Sequence, residues 1–252
     1  MSFLLDEPWL LFLAVGMLLF ASSALGHELA LATRINDDDH HHDQLTALGE
    51  GLFVLLGLLL GFTVAMAQLH FDERRQLVVD EANAIGTTML RAELLPEPQR
   101  GKTLECLRQY AVVRRDTATV GPEKSLPPTK VLQSQIWEQM VAVASRNQTA
   151  VMATYINALN EMIDVSEKRL AAFEHRVPKL VWIIIILVAV FQSFIAGFSL
   201  KRRFWLSLVL TSLVMAVVIA LIADLDASYT GLIHIEQNSI DRLVKDANGA
   251  KP

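Results

Sequence analysis

The densest run of metal-ligating side chains in this 252-residue chain is Asp37-Asp38-Asp39-His40-His41-His42-Asp43. Carboxylate oxygens and imidazole nitrogens suit a divalent ion, which makes His40, His41 and His42 candidate ligands. The run has no fixed spacing such as histidines one helical turn apart, so it reads equally as a solvated acidic loop. Two polar clusters lie on stretches with helical rhythm: Glu81, Asn83, Thr87 and Arg91, then Asn160, Glu161 and Asp164. They suit either a network joining two helices or a ring of polar groups around an ion path. Enzyme chemistry finds no support, because no Ser/His/Asp order, phosphate-cradling glycine loop or His-Glu-x-x-His pattern occurs. Cys106 is the single cysteine, so neither an intramolecular disulfide nor a cysteine-held metal cluster is expected. No cofactor is implied. A net charge of −5 without a basic stripe makes nucleic acid an unexpected partner.

The elements that position these residues follow from composition. Hydrophobic residues make up 52% of the chain and charged residues 19%, against roughly a quarter charged in an average soluble domain. The mean hydropathy is +0.37. The apolar excess falls in four charge-free stretches, residues 8–26, 51–69, 180–200 and 204–223. Each is about twenty residues long, enough to cross ~30 Å of hydrocarbon as a helix. The first follows an acidic start, MSFLLDE, where a secretory signal wants a basic one, so it reads as a retained span. The spacing therefore predicts an all-α polytopic protein of the lipid bilayer with four transmembrane helices.

None of these stretches carries an ionisable residue, which argues against a proton-coupled transporter and leaves a passive pore open. In the second stretch Gly57 and Gly61, continued by Ala65, form a small-residue repeat that lets helix backbones approach closely. It suits a pore helix or ordinary packing. Leu59, Phe62 and Met66 share another face, and around a symmetry axis they would form an apolar constriction that gates by dewetting. Gln192, Ser193, Ser207, Thr211 and Ser212 are polar groups inside the third and fourth stretches, able to line a path or bond between helices.

Residues 71–179 form a charged, helix-rich insert between the second and third spans. From 71 to 95 the sequence FDERRQLVVDEANAIGTTMLRAELL keeps the helical rhythm of the preceding span. Val78, Ala82, Ile85 and Met89 make an apolar stripe, and Glu73, Gln76, Asp80, Asn83 and Thr87 a polar one. One long helix is expected, stopped by Pro96 and Pro98. Further helices are expected at 101–115, 131–146 and 150–176, with a loop at 117–128 marked by Gly121, Pro122, Pro127 and Pro128. No strand pattern occurs. The expected division is 1–70 with two spans, the 71–179 insert, 180–223 with two spans, and a 224–252 tail. Arg74, Arg75, Lys168, Arg169, Arg176 and Lys179 on the insert side outnumber Arg34, Lys201, Arg202 and Arg203 opposite. The positive-inside rule then places both termini and the insert in the cytoplasm.

The block running from Glu81, Ala82, Asn83 and Ala84 through Gly86, Thr87, Leu90 and Arg91 to Leu94, Leu95 and Pro96 carries a family resemblance. So do Asn160, Glu161, Asp164, Arg169 and His175, and, after the fourth span, Asp224, Leu225, Asp226, Gly231, Leu232 and Ile233. Together they resemble a bacterial bestrophin-like membrane family. The resemblance implies a homo-oligomeric channel of the bacterial inner membrane, a pentamer passing small ions, with anions favoured and the insert as a cytosolic vestibule. It also implies that Asp224 and Asp226 form an acidic clasp for a cation, although aspartate at such a position equally serves as a helix cap. The competing expectation is a non-conducting membrane scaffold or signalling protein whose insert binds a partner.

Overall fold

The computed structural model describes residues 7–33, 39–146, 149–200, 205–227 and 231–249. These form eight helices and no strand: α1 (Pro8–Thr33), α2 (Asp39–Ala92), α3 (Gln99–Val120), α4 (Pro122–Ala144), α5 (Ala150–Glu174), α6 (Lys179–Phe198), α7 (Trp205–Asp226) and α8 (Asn238–Gly249). The four apolar stretches lie in α1, α2, α6 and α7, each long and apolar enough to cross a membrane. The chain divides into two compact units, Met1–His70 with Arg176–Ile233, and Phe71–His175 with His234–Pro252.

The first unit packs the four spans around Leu19, Leu56, Leu60, Trp182, Ile185, Ala216 and Ile219. Their outward residues are large and apolar, such as Val54, Leu180 and Leu206, at 70%, 65% and 65% exposure. Apolar side chains facing out at this density match a lipid surround, because water would penalise them. The tightest contact joins α1 to α6. A Cβ on Gly197 would lie 1.9 Å from the Ser23 carbonyl oxygen, and one on Gly26 2.1 Å from that of Phe194. Only glycine permits that approach.

The connection expected as an acidic loop is largely helical. α1 continues through Thr33 and α2 begins at Asp39. Residues 28–33, ELALAT, are mostly good helix formers. Arg34, Asp37, Asp38 and the Lys201-Arg202-Arg203 turn lie outside the described residues.

α2 is a single helix of 54 residues, as its unbroken rhythm predicts. Its second half builds the second unit, where Val78, Ala82 and Ile85 meet Leu107, Tyr110, Ile136, Tyr155, Leu159 and Met162. The loop expected at 117–128 is not formed. α3 runs to Val120 and α4 starts at Pro122, with a single residue between them. Gly121 supplies the break at φ 84°, and Pro122 opens α4 in the first turn, where its missing N–H costs nothing. Pro127 and Pro128 lie inside α4. Burial of Ser125, Thr129, Leu132, Gln133 and Ile136 along one face outweighs the backbone hydrogen bonds that these prolines remove. The C-terminal stretch is not a bare tail. Ile240 and Val244, one turn apart, bury the apolar stripe of α8 in the second unit.

Candidate functional site

Charge concentrates in the middle of the second unit. The α2 side chain Glu81 is 0% exposed, and its Oε1 accepts a hydrogen bond from Arg114 Nε of α3 at 2.5 Å. Its Oε2 accepts one from Arg169 Nη1 of α5, also at 2.5 Å. Arg169 Nη1 also donates to the Arg114 carbonyl at 3.3 Å, and Nη2 to Gln237 Oε1 at 2.9 Å. Burial pulls the Arg169 guanidinium below the ordinary arginine range, with Arg114 alongside adding to it and Glu81 opposing. Burial also pulls on Arg114, but Glu81 and Tyr110 more than offset it and hold that group high. Tyr110 is itself pushed up by burial and by Glu81, so its hydroxyl stays neutral. Gln133 Nε2 completes the polar core, donating to Ser166 Oγ at 2.9 Å and to Tyr110 at 3.4 Å.

This arrangement separates Glu81 from the residues grouped with it by sequence. Asn83, Thr87 and Arg91 face a different side of α2, where they line a cleft of ≈ 510 Å³ with Asp80, Asn157, Glu161 and Lys168. The cleft brings together four of the seven polar candidates. Asn160 and Asp164 are exposed and do not line it. Arg91 Nη1 donates to the Thr154 carbonyl at 2.7 Å, so it is anchored to backbone. The buried partners of Glu81 are the part that sequence reasoning missed. Their signal was a charge standing on an apolar stripe: Arg114 continues Leu107 and Ala111, and Arg169 continues Met162 and Val165.

In the membrane half of α2, Leu56, Leu60, Thr63 and Ala67 face the core. Phe62 is 65% and Met66 37% exposed, while Leu59 packs partly against the core. A Cβ on Gly57 or Gly61 would meet nothing within 4 Å. Their small-residue face is therefore unused inside one chain. Only 22% of this span is buried, against 33%, 28% and 33% for the other three, so α2 is the span least covered by its own chain.

Asp224 and Asp226 hold backbone. Asp224 accepts the Leu232 N–H at 2.6 Å and the Ile233 N–H at 2.9 Å, and the chain turns tightly against it at Gly231, φ 124°. Asp226 accepts the Val177 N–H at 3.0 Å, with His70 Nδ1 at 3.8 Å. Among the described residues no three His, Cys, Asp or Glu side chains gather closely enough to hold a metal ion. The side chains of His40, His41 and His42 lie outside the described residues.

The fold has well-matched solved counterparts. A crystal structure of a bacterial bestrophin homologue from Klebsiella pneumoniae aligns with TM-score 0.66 and 15% identity, covering 94% of this chain and 99% of its own. A single-substitution variant of that homologue aligns at TM-score 0.67 and 15% identity, covering 94% and 98%. A structure described as a membrane protein gives TM-score 0.65 and 15% identity over 93% and 98%. No curated protein matches the sequence. A family model described as Bestrophin-like domain matches residues 15–240, nearly the whole of both units, and the chain accordingly belongs to the Bestrophin-like family.

Proposed function

We propose that this protein is the subunit of a homo-oligomeric membrane channel for small ions, anions foremost, with α2 lining the pore. One observation carries the reading. By the 3.6-residue repeat, Leu55, Leu58, Phe62 and Leu69 fall on one stripe of α2, and that stripe is exposed. In the same register the helix later carries Gln76, Asp80, Asn83, Thr87 and Arg91. A helix whose uncovered stripe is apolar at membrane depth and polar beyond it suits a dewetting gate followed by a wet vestibule. The open small-residue face at Gly57 and Gly61 gives a neighbouring subunit room to pack. A bacterial inner-membrane location, a cytoplasmic insert and fivefold assembly belong to the same proposal. Its support is the distribution of Lys and Arg and the family.

Purified protein should run as one closed oligomer by native mass measurement and should pass chloride in liposomes. A well-folded oligomer silent to several anions and cations would overturn the channel reading. A second reading is a non-conducting scaffold, favoured by the ≈ 510 Å³ polar cleft between α2 and α5, which has room for a partner's side chains.

A further inference from the structure

Midway along α1, Phe12, Gly16 and Phe20 stand one helical turn apart on a single stripe, so a residue with no side chain sits between two aromatic ones. The notch faces α7, where a Cβ on Gly16 would lie 3.5 Å from the Ala216 Cβ, an ordinary van der Waals contact. The two helices bound a groove of ≈ 260 Å³ there. Leu13 and Met17 continue its α1 wall, and Val209, Ser212 and Leu213 form its α7 wall. From Phe12 to Phe20 it extends about 12 Å along α1, at ~1.5 Å per residue.

The lining selects the occupant. None of these residues is ionisable, and the one hydroxyl, on Ser212, belongs to a side chain only 4% exposed. An ordered water needs several polar partners, so this groove does not suit water. Residues 12–20 straddle the middle of the charge-free stretch 8–26. The groove therefore lies at the depth of the hydrocarbon, out of reach of lipid headgroups. Its mouth is continuous with the outward apolar face of the spans, since Met17 is 66% and Leu13 48% exposed. That is the face that lipid surrounds.

We infer that the groove seats one acyl chain of a membrane phospholipid, lying along the seam between α1 and α7. Hydrocarbon leaving neighbouring lipid gains nothing hydrophobic, so the chain is held by dispersion contacts with the two walls. An unbranched, flexible chain can follow so narrow a hollow, and by filling it supplies the packing that Gly16 withholds. The inference rests on the spans lying in a bilayer and not on the channel reading.

The test uses the full chain in phosphatidylethanolamine–phosphatidylglycerol vesicles doped with a phospholipid whose acyl chain carries a mid-chain diazirine. After illumination, adducts are mapped by peptide mass measurement. Residues 12–20 and 209–213 should be labelled several-fold more than Leu187 and Phe191, mid-span residues of α6 that are 53% and 56% exposed. Labelling of the groove should saturate as the diazirine lipid is increased, while labelling of Leu187 and Phe191 rises in proportion. Gly16→Leu, which fills the notch, should remove the excess and leave the α6 adducts unchanged. Labelling that merely follows exposure, or that rises without saturating, would overturn the assignment, as would an excess that survives Gly16→Leu. An unlabelled groove would overturn it too, and would mean that a neighbouring chain covers this face. Should Gly16→Leu fail to fold, the saturation curve of the unaltered protein decides. Neither readout depends on ion flux.

Discussion

Arg169 on α5 meets Glu81 on α2 at 2.5 Å, both fully enclosed and 88 residues apart in sequence. Removing one member of a buried ion pair leaves the rest charged and unpaired, typically at about 3–5 kcal/mol. Glu81→Ala strands two guanidinium groups and should lower Tm in detergent sharply. Combined with Arg114→Met, the loss should fall well short of the sum of the two single losses. Additive losses would show that the three groups do not act as one cluster.

Arg91 and Glu161, grouped by sequence, behave differently. Both line an open cleft, and Arg91 is anchored on the Thr154 carbonyl. Arg91→Ala should cost about 1 kcal/mol, the worth of one hydrogen bond, and should add to Glu161→Ala within about 0.5 kcal/mol. Thermal melts of the two single variants and the double variant check this, and a coupling above about 1 kcal/mol would mean that they pair.

The glycines of the spans divide into two kinds. Gly197→Ala pushes a methyl group onto the Ser23 backbone and should destabilise the protein strongly or prevent folding. A Cβ on Gly61 meets nothing within 4 Å, so Gly61→Leu should leave each subunit folded while the oligomer weakens. Native mass measurement of Gly61→Leu separates these effects, and an intact oligomer would remove α2 from the subunit interface.

Tyr155 gives the protein an alkaline limit. Burial pushes its hydroxyl up from 10.0 to about 12, so the folded state holds the proton more tightly than the unfolded chain. The resulting stability is complete below pH ~10 and is lost as pH rises through ~12. Tyr155→Phe lacks that titration and should lose less Tm across this window than the parent protein. Parallel curves would show that Tyr155 does not set the limit.

The parts of the molecule legible in sequence are those that local pattern determines. A charge-free run of span length and an unbroken 3.6-residue rhythm specify the four spans and the length of α2 without reference to partners. Gly121 is a real break, but the prolines after it were outweighed by burial of Thr129, Leu132 and Ile136, which is a tertiary effect. The Glu81 cluster joins helices 33 and 88 residues apart, and no local window contains such a pairing. The tight α1–α6 contact carried a sequence signal that Gly57 and Gly61 overshadowed: Ser22 with Gly26, and Ser193 with Gly197, are small residues one turn apart. Such repeats mark where backbones can approach, not whether the partner lies in the same chain.

The most direct test of the channel account is ion flux through liposomes containing the purified protein and its Phe62→Ser variant. Phe62 is 65% exposed on the apolar stripe of α2, and a hydroxyl there should wet a constriction that otherwise excludes water. The account predicts chloride flux from the parent protein and a several-fold larger flux from Phe62→Ser at equal oligomer density. A folded, oligomeric Phe62→Ser protein that passes neither anions nor cations would contradict it and assign the protein to a non-conducting role.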